Sequence, residues 1–157
     1  MTLLLQLPKT FKPKVDLDKS IVNPNDCQID ADNDLRAVQA WLNRYDKKTT
    51  YRAYKKEVER FILWCICERG LYLHELKVND FEAYFKFLQN PSVRWSDKIE
   101  KPLSKSSLIL SIRIIGSFMS YLANANYLKA NPMKLLKTSQ LLKQQVEERK
   151  YQVWSRM

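Results

Sequence analysis

The scarcity of glycine is the feature that most limits the folds open to this chain. Only Gly70 and Gly116 occur in 157 residues. Tight turns between strands rely on glycine because it adopts positive φ at little cost, so a strand-rich fold would need more of them. Apolar residues also recur at the three- and four-residue spacing of amphipathic helices. We therefore predict an all-α fold, a small bundle of four to five helices.

Capping residues and helix breakers predict where these helices begin and end. Asp, Asn, Ser and Thr favour helix starts because their side chains accept free N–H groups, while Gly and Pro favour ends. The predicted starts are residues 32–34 for the first helix, Thr49 or Thr50 for the second, Asn79 or Asp80 as cap of the third, and Ser104 as cap of the fourth. The predicted ends are Gly70 for the second helix, Asn90-Pro91 for the third and about Ala125 for the fourth.

Three segments follow from these assignments. Residues 1–31 are predicted to form an extended N-terminal arm, because Pro8, Pro13 and Pro24 interrupt regular structure there. Residues 32–135 form the helical domain, with a loop at 91–103, and residues 136–157 form a C-terminal helix or linker. The aromatic residues predicted to lie in the core are Trp41, Trp64, Phe81, Phe85 and Phe118, with Tyr51 and Tyr54 also favoured there.

The positive charge of the chain is concentrated in two stretches. The formal net charge is +10, to which residues 34–70 contribute +4 and residues 101–137 contribute +6 without a single acidic residue. Each stretch contains a predicted helix start, where the helix dipole makes lysine unfavourable unless an anion binds. Free N–H groups at a helix start, together with Lys and Arg, form a phosphate site. We therefore predict nucleic acid as the partner, in preference to a membrane surface.

The candidate DNA-contacting residues are the basic and hydroxyl side chains at these two helix starts. Hydroxyls and lysines reach phosphate oxygens, and arginine also reaches guanine edges in the major groove. The candidates are Lys47, Lys48, Thr49, Thr50, Arg52, Lys55 and Lys56 at the second helix, and Lys101, Ser104, Lys105, Ser106 and Arg113 at the fourth. If both starts lie on one side of the bundle, they form a single anion-binding surface. For either cluster alone, an ordinary solvated helix face is the alternative.

Residues suited to catalysis or metal binding are few. His74 is the only histidine, and Cys27, Cys65 and Cys67 lack metal-ligand spacing, so we predict no metal and no other cofactor. The cysteines are expected to be reduced thiols of a cytoplasmic protein. No apolar run is long enough for a membrane span, so no membrane partner is predicted.

The order and spacing of several motifs resemble one protein family. The motifs are segment 34–42 (DLRAVQAWL), Thr50-x-x-x-Tyr54, segment 59–64 (ERFILW) with Gly70-Leu71, Asp80-Phe81-x-x-Tyr84-x-x-Phe87-Leu88 with Pro91 and Trp95, Pro102-Leu103-Ser104, segment 117–122 (SFMSYL), and Tyr127-Leu128-x-x-Asn131-Pro132. Over about residues 32–135, the chain resembles the core-binding, SAM-like N-terminal domain of phage integrases, the tyrosine site-specific recombinases.

This resemblance implies a helical domain that forms half of a clamp around duplex DNA at a recombination site, in the service of DNA integration. In the family the second and fourth helices face the DNA, and these are the helices that the charge pattern selects. Carried over residue by residue, the DNA-facing positions are Lys48, Thr49, Thr50, Arg52 and Lys55, and Ser104, Lys105, Ser106 and Arg113. The family also implies a bacterial, nucleoid-associated protein and a tetramer only for the full-length recombinase on DNA.

The catalytic half of that family has no counterpart in this sequence. Family members cleave DNA with a tyrosine assisted by arginines and histidines of a C-terminal domain. Their His-x-x-Arg box has no match here, since His74 is followed by Glu75-Leu76-Lys77. We therefore expect a non-catalytic piece of a longer integrase, with a naturally truncated, inactive element as the alternative.

Two functions of other classes remain open from the sequence. One is a helical protein–protein interaction module whose basic face meets an acidic partner, which would bind heparin as readily as DNA. The other is a small enzyme that uses His74 or a buried cysteine.

Overall fold

All regular structure in the described part of the protein is helical, which confirms the predicted all-α class. The structure, a computed structural model, describes residues 13–16, 19, 26–91, 95 and 102–142. Its four longer α-helices are α1 (Asp34–Leu42), α2 (Lys48–Trp64), α3 (Val78–Gln89) and α4 (Lys105–Asn124). A π-helical turn, Cys65–Arg69, extends α2, and 3-10 turns occupy Leu73–Glu75 and Pro132–Leu135.

The predicted starts of α1 and α4 are confirmed, and so is Ser104 as the cap of α4, whereas the cap of α1 is Asn33 and not one of the neighbouring aspartates. The side chain of Asn33 accepts the N–H of Arg36 at 2.8 Å, which begins α1 within residues 32–34. The hydroxyl of Ser104 accepts the N–H of Ser107 at 3.3 Å and caps α4. These are the bonds expected of Asn and Ser at a helix start.

The cap predicted for the third helix, Asn79 or Asp80, is wrong. α3 begins at Val78, and Asp80 is its third residue, where its carboxylate accepts the backbone N–H of Lys77 at 2.9 Å. An acidic side chain at this position closes back onto the residue before the helix, so it marks a start that lies earlier in the chain. The predicted stop at Asn90-Pro91 is confirmed, since α3 ends at Gln89.

Gly70 ends the extended α2 in the left-handed conformation that the sequence predicts. Its φ is +66°, and a Cβ built there would lie 2.9 Å from Cβ of Lys14. Lys14 is held at this turn because its N–H donates to the carbonyl of Ile66 at 2.8 Å. The turn therefore serves both as the helix end and as the docking point of the N-terminal chain.

Gly70→Ala is expected to lower the free energy of unfolding by about 1–2 kcal/mol, because a left-handed backbone is strained for any residue with a Cβ. Urea unfolding followed by circular dichroism measures the loss. Gly116→Ala is the matched control. Gly116 lies within α4, and a Cβ there meets only Met133 Cε at 3.8 Å. Alanine is the better helix former, so this variant is expected to keep or gain stability. Equal losses in both variants would contradict the argument.

Aromatic side chains join the helices at the centre of the core. Trp41 of α1 stacks on Tyr54 of α2 and packs against Phe118 of α4, with ring centroids 5.4 and 5.2 Å apart. Phe61 of α2 stacks on Phe81 of α3 at 5.4 Å. The predicted core residues Trp41, Trp64, Phe81, Phe85 and Phe118 are all buried, while Tyr51 and Tyr54 are half-buried against the core.

The chain on either side of the bundle packs against it. In residues 26–31, which form no helix, the N–H of Gln28 donates to the carbonyl of Ala125 at 2.7 Å, and Ala31 is buried. A short helical stretch covers residues 138–142. The rest of the helix or linker predicted for residues 136–157, and much of the predicted arm, lie outside the described residues.

Candidate nucleic-acid interface

The first turns of α2 present a basic face to solvent. Lys48, Arg52 and Lys56 are exposed and four residues apart, so they lie along one side of the helix. α2 begins at Lys48, one residue before the predicted Thr49. The preceding Lys47 makes no side-chain capping bond, and the first turn holds no acidic residue. The N–H groups of this turn are therefore open to an anion.

The remaining candidates on α2 differ in how much they can contribute. Lys47 and Thr49 are exposed and Thr50 is half-buried. Lys55 has an acidic partner, since its Nζ lies 3.8 Å from Oε1 of Glu59 one turn further on. An ion pair of this kind is worth at most about 1 kcal/mol, but it offsets the charge of Lys55. Lys55 is therefore the weakest of the proposed cationic contacts on this helix.

The start of α4 is the second cluster, and it is rich in hydroxyls. Ser104, Lys105 and Ser106 are exposed, and the first turn again holds no acidic residue. The Ser104 hydroxyl is engaged in capping and lies 3.0 Å from the Ser107 hydroxyl. Lys101 lies outside the described residues, so its predicted role is not placed on the structure.

The solvent side of α4 continues this polar surface along the helix. Arg113, Ser117 and Asn124 are exposed and recur at helical spacing after Ser106. Leu110 lies on the same side and is 48% exposed. Hydroxyl, amide and guanidinium groups all donate hydrogen bonds to phosphate oxygens, and no carboxylate on α4 opposes them.

The helix segments that carry the two clusters pack against different parts of the bundle. The second turn of α2 and the second half of α4 are joined through Trp41, which stacks on Tyr54 and packs on Phe118. The start of α4 lies beside the end of α3, where the N–H of Leu103 donates to the carbonyl of Leu88 at 3.0 Å. Fourteen residues of helix separate Ser104 from Phe118, about 21 Å at 1.5 Å per residue. That both clusters face one side of the bundle stays a prediction.

The structure contains a buried polar network that the sequence does not predict. Asp34, which the sequence predicts only as a residue at the start of the first helix, is buried and accepts the Tyr127 hydroxyl at 2.6 Å and the Leu73 N–H at 2.9 Å. Burial raises the pKa of the Asp34 carboxyl, although both hydrogen bonds oppose the shift. Its partners are 93 and 39 residues away in sequence, so no local pattern reveals them.

A second buried polar group joins α2 to α3. Arg60 pairs with Glu57, and its Nε donates to the Tyr84 hydroxyl at 3.3 Å. Burial raises the pKa of the Tyr84 hydroxyl, so the tyrosine remains neutral beside the arginine. The network is structural, because Arg60 and Tyr84 are buried.

The candidate catalytic groups are scattered. His74 is exposed in a 3-10 turn, with its ring stacked on Tyr72 at 6.0 Å. Cys65 and Cys67 are buried, and burial raises the pKa of the Cys65 thiol well above its usual value. A thiol in that state is a poor nucleophile. Across the described ranges, no group of three or more His, Cys, Asp or Glu side chains is placed to hold a metal ion.

α4 is also long and apolar enough, by length and composition, to cross a membrane. Its most apolar 18-residue window has a mean hydropathy of 1.4, and 44% of that window is buried inside the protein. The apolar side chains of α4 pack against α1, α2 and α3. The hydropathy of α4 is therefore accounted for by its place at the centre of the bundle.

Comparison of the chain with protein-family models, with curated proteins and with solved structures found no match.

Proposed function

We propose that this chain binds duplex DNA through the start of α2 and the solvent side of α4, and performs no chemistry itself. One observation carries the proposal. Two helix starts bear exposed lysines and contain no acidic residue in their first turns, and the solvent side of α4 carries no acidic residue either. Cations at the positive end of a helix dipole are unfavourable in isolation, and a bound phosphate reverses that balance.

The chemistry of the surface suits contacts to the DNA backbone more than base reading. Lys48, Lys105 and the serines of α4 would contact phosphates, and Arg52 and Arg113 would supply the limited base recognition.

The motif order supports a narrower assignment within this function. We place the chain in the SAM-like core-binding class of the tyrosine recombinases, where it would hold one half-site for a catalytic domain carried elsewhere in the full protein. Tetramer formation would belong to that full recombinase on DNA in the bacterial cytoplasm. Neither a cofactor nor a membrane is needed for this role.

The proposal is tested by fluorescence anisotropy of a labelled DNA duplex at several salt concentrations. The isolated chain is expected to bind in the range of about 10⁻⁴–10⁻⁶ M, which is typical of binding dominated by phosphate contacts. Lys48→Ala, Arg52→Ala and Lys105→Ala are each expected to weaken binding. Each of these substitutions removes a cation and leaves one phosphate unneutralised, so binding of the variant releases one counterion fewer from the DNA. Each variant should therefore reduce the salt slope of log K by about one unit.

Lys86→Ala is the matched control, because Lys86 is exposed on α3 and belongs to neither cluster. It is expected to leave affinity and salt slope unchanged. Equal effects in all four variants would mean that charge acts diffusely, which contradicts the proposed surface. Equal competition by heparin and by duplex DNA would favour an acidic protein partner instead, and no binding at low salt would remove the DNA function altogether.

A further inference from the structure

A groove of about 1140 Å³ opens on the side of the protein formed by the Leu73–Glu75 turn, the start of α3 and residues 123–135. Leu73, Leu76 and Leu128 are buried side chains of its wall, and Leu135 at its edge is 71% exposed. Leu135 and Leu110 are the two strongly exposed large hydrophobic residues in the described part of the chain. Leu135 adjoins a concave surface with a largely apolar lining, and an exposed apolar patch of this kind indicates an interaction site.

The rim of this groove is positively charged. Lys77, Lys129 and Lys134 line it and are exposed, and none of the lining residues is acidic. The nearby carboxylate of Glu75 accepts the N–H of Tyr72 at 3.0 Å. An apolar floor with a lysine rim is complementary to an apolar stripe flanked by carboxylates.

The size and shape of the groove favour a helix as the occupant. Pockets for small molecules usually enclose about 300–1,000 Å³ and surround their ligand, whereas this groove is larger and open along one side. An amphipathic helix places leucine-sized anchors on one face at three- and four-residue spacing, which is how helices bind in apolar grooves. A DNA phosphate backbone would satisfy the lysines but would leave Leu135 without an apolar partner.

We propose that this groove binds an acidic amphipathic helix of another protein. Leucine-like side chains enter beside Leu76 and Leu135, and flanking glutamates or aspartates pair with Lys77, Lys129 and Lys134. This surface is largely separate from the proposed DNA-contacting one, since it shares Asn124 with the solvent side of α4 but none of its lining residues belongs to the start of α2 or of α4. The inference therefore stands independently of the DNA-binding proposal.

The test uses a labelled synthetic helical peptide of about 18 residues, five turns, with leucines along one face and glutamates elsewhere. A second peptide carries lysines in place of the glutamates, and a third carries serines in place of the leucines. Binding to the full chain is measured by anisotropy. The acidic amphipathic peptide is expected to bind at least tenfold more tightly than either of the others.

Two variants locate the binding site. Leu135→Ser is expected to weaken acidic-peptide binding about tenfold, and Leu110→Ser, the matched exposed leucine on α4, is expected to leave it unchanged. Lys134→Glu should weaken the acidic peptide and strengthen the lysine peptide. Circular dichroism confirms that each variant is folded.

The inference is overturned if the acidic peptide binds no more tightly than its lysine counterpart, or if Leu135→Ser and Leu110→Ser act alike. It is also overturned if Lys48→Ala/Arg52→Ala abolishes peptide binding, since the peptide would then occupy the proposed DNA-contacting surface. Peptide binding that persists in the presence of saturating duplex DNA supports the groove. Because the peptide assay needs no DNA, failure of either proposal leaves the other standing.

Discussion

Trp41→Ala is expected to lower the free energy of unfolding by about 3–5 kcal/mol, a large part of the stability of a domain this size. Trp41 is fully buried and its ring contacts Tyr54 of α2 and Phe118 of α4. Removing the indole leaves a cavity where three helices meet. Urea unfolding followed by far-ultraviolet circular dichroism gives the loss. Because Tyr54 lies on the helix that carries Lys48 and Arg52, DNA affinity is expected to fall as well.

Trp41→Phe separates ring packing from the indole N–H. The Nε1 atom of Trp41 is buried with no hydrogen-bond partner among the described residues, so phenylalanine keeps much of the packing and removes an unsatisfied donor. The expected loss is below about 1.5 kcal/mol. If Trp41→Phe lowers the free energy of unfolding as much as Trp41→Ala does, the ring contacts are not what stabilises the packing of α1, α2 and α4.

Asp34→Ala is expected to cost about 2–4 kcal/mol, because it leaves two buried donors, the Tyr127 hydroxyl and the Leu73 N–H, without an acceptor. These bonds tie the start of α1 to the end of α4 and to the turn before α3. Asp30→Ala is the matched control, since Asp30 is exposed a few residues earlier, and it should change stability by less than about 0.5 kcal/mol. Thermal and urea unfolding of both variants measure the difference.

The same carboxyl is expected to give the protein a pH-dependent stability. Burial raises the pKa of Asp34 in the folded protein above its ordinary value of 3.8. A group shifted in this direction stabilises the fold fully below pH 3.8, and the contribution is lost as pH rises through the folded pKa. Asp34→Asn removes this titration, so it should gain stability relative to the parent protein as pH increases from about 4 to 7. A constant difference across that range would show that burial does not perturb Asp34.

The helices themselves were predictable because their signals are local. Ser104 and Gly70 act within one turn of the residues they cap or end, so their roles follow from the sequence. Asp80 shows the limit of this reasoning, since the same residue type serves as a cap or as the third helical residue. Nothing local indicates that Asp34 is paired with Tyr127, because that contact forms only when the start of α1 packs against the end of α4, 93 residues away in sequence.

The candidate site likewise has features that the local sequence predicts and features that depend on tertiary packing. The exposure of Lys48, Arg52 and Lys56 follows from helical spacing, and the pairing of Lys55 with Glu59 could have been read from their four-residue separation. The positions of the two clusters relative to each other depend on how α2 crosses α4. That crossing is set by aromatic packing at Trp41, which the sequence places in the core without specifying its partners.

The extended chain that precedes α1 changes what counts as the folding unit of this protein. Its described residues dock after the end of α2, through Lys14 on Ile66, and after the end of α4, through Gln28 on Ala125, and Cys27 and Ile29 pack against core residues. A shortened protein beginning at Asn33 would keep α1 to α4 but would lack these residues. The apolar core side chains that they cover would then be exposed to solvent. Truncations designed from helix limits alone would therefore produce a less soluble protein than the one described.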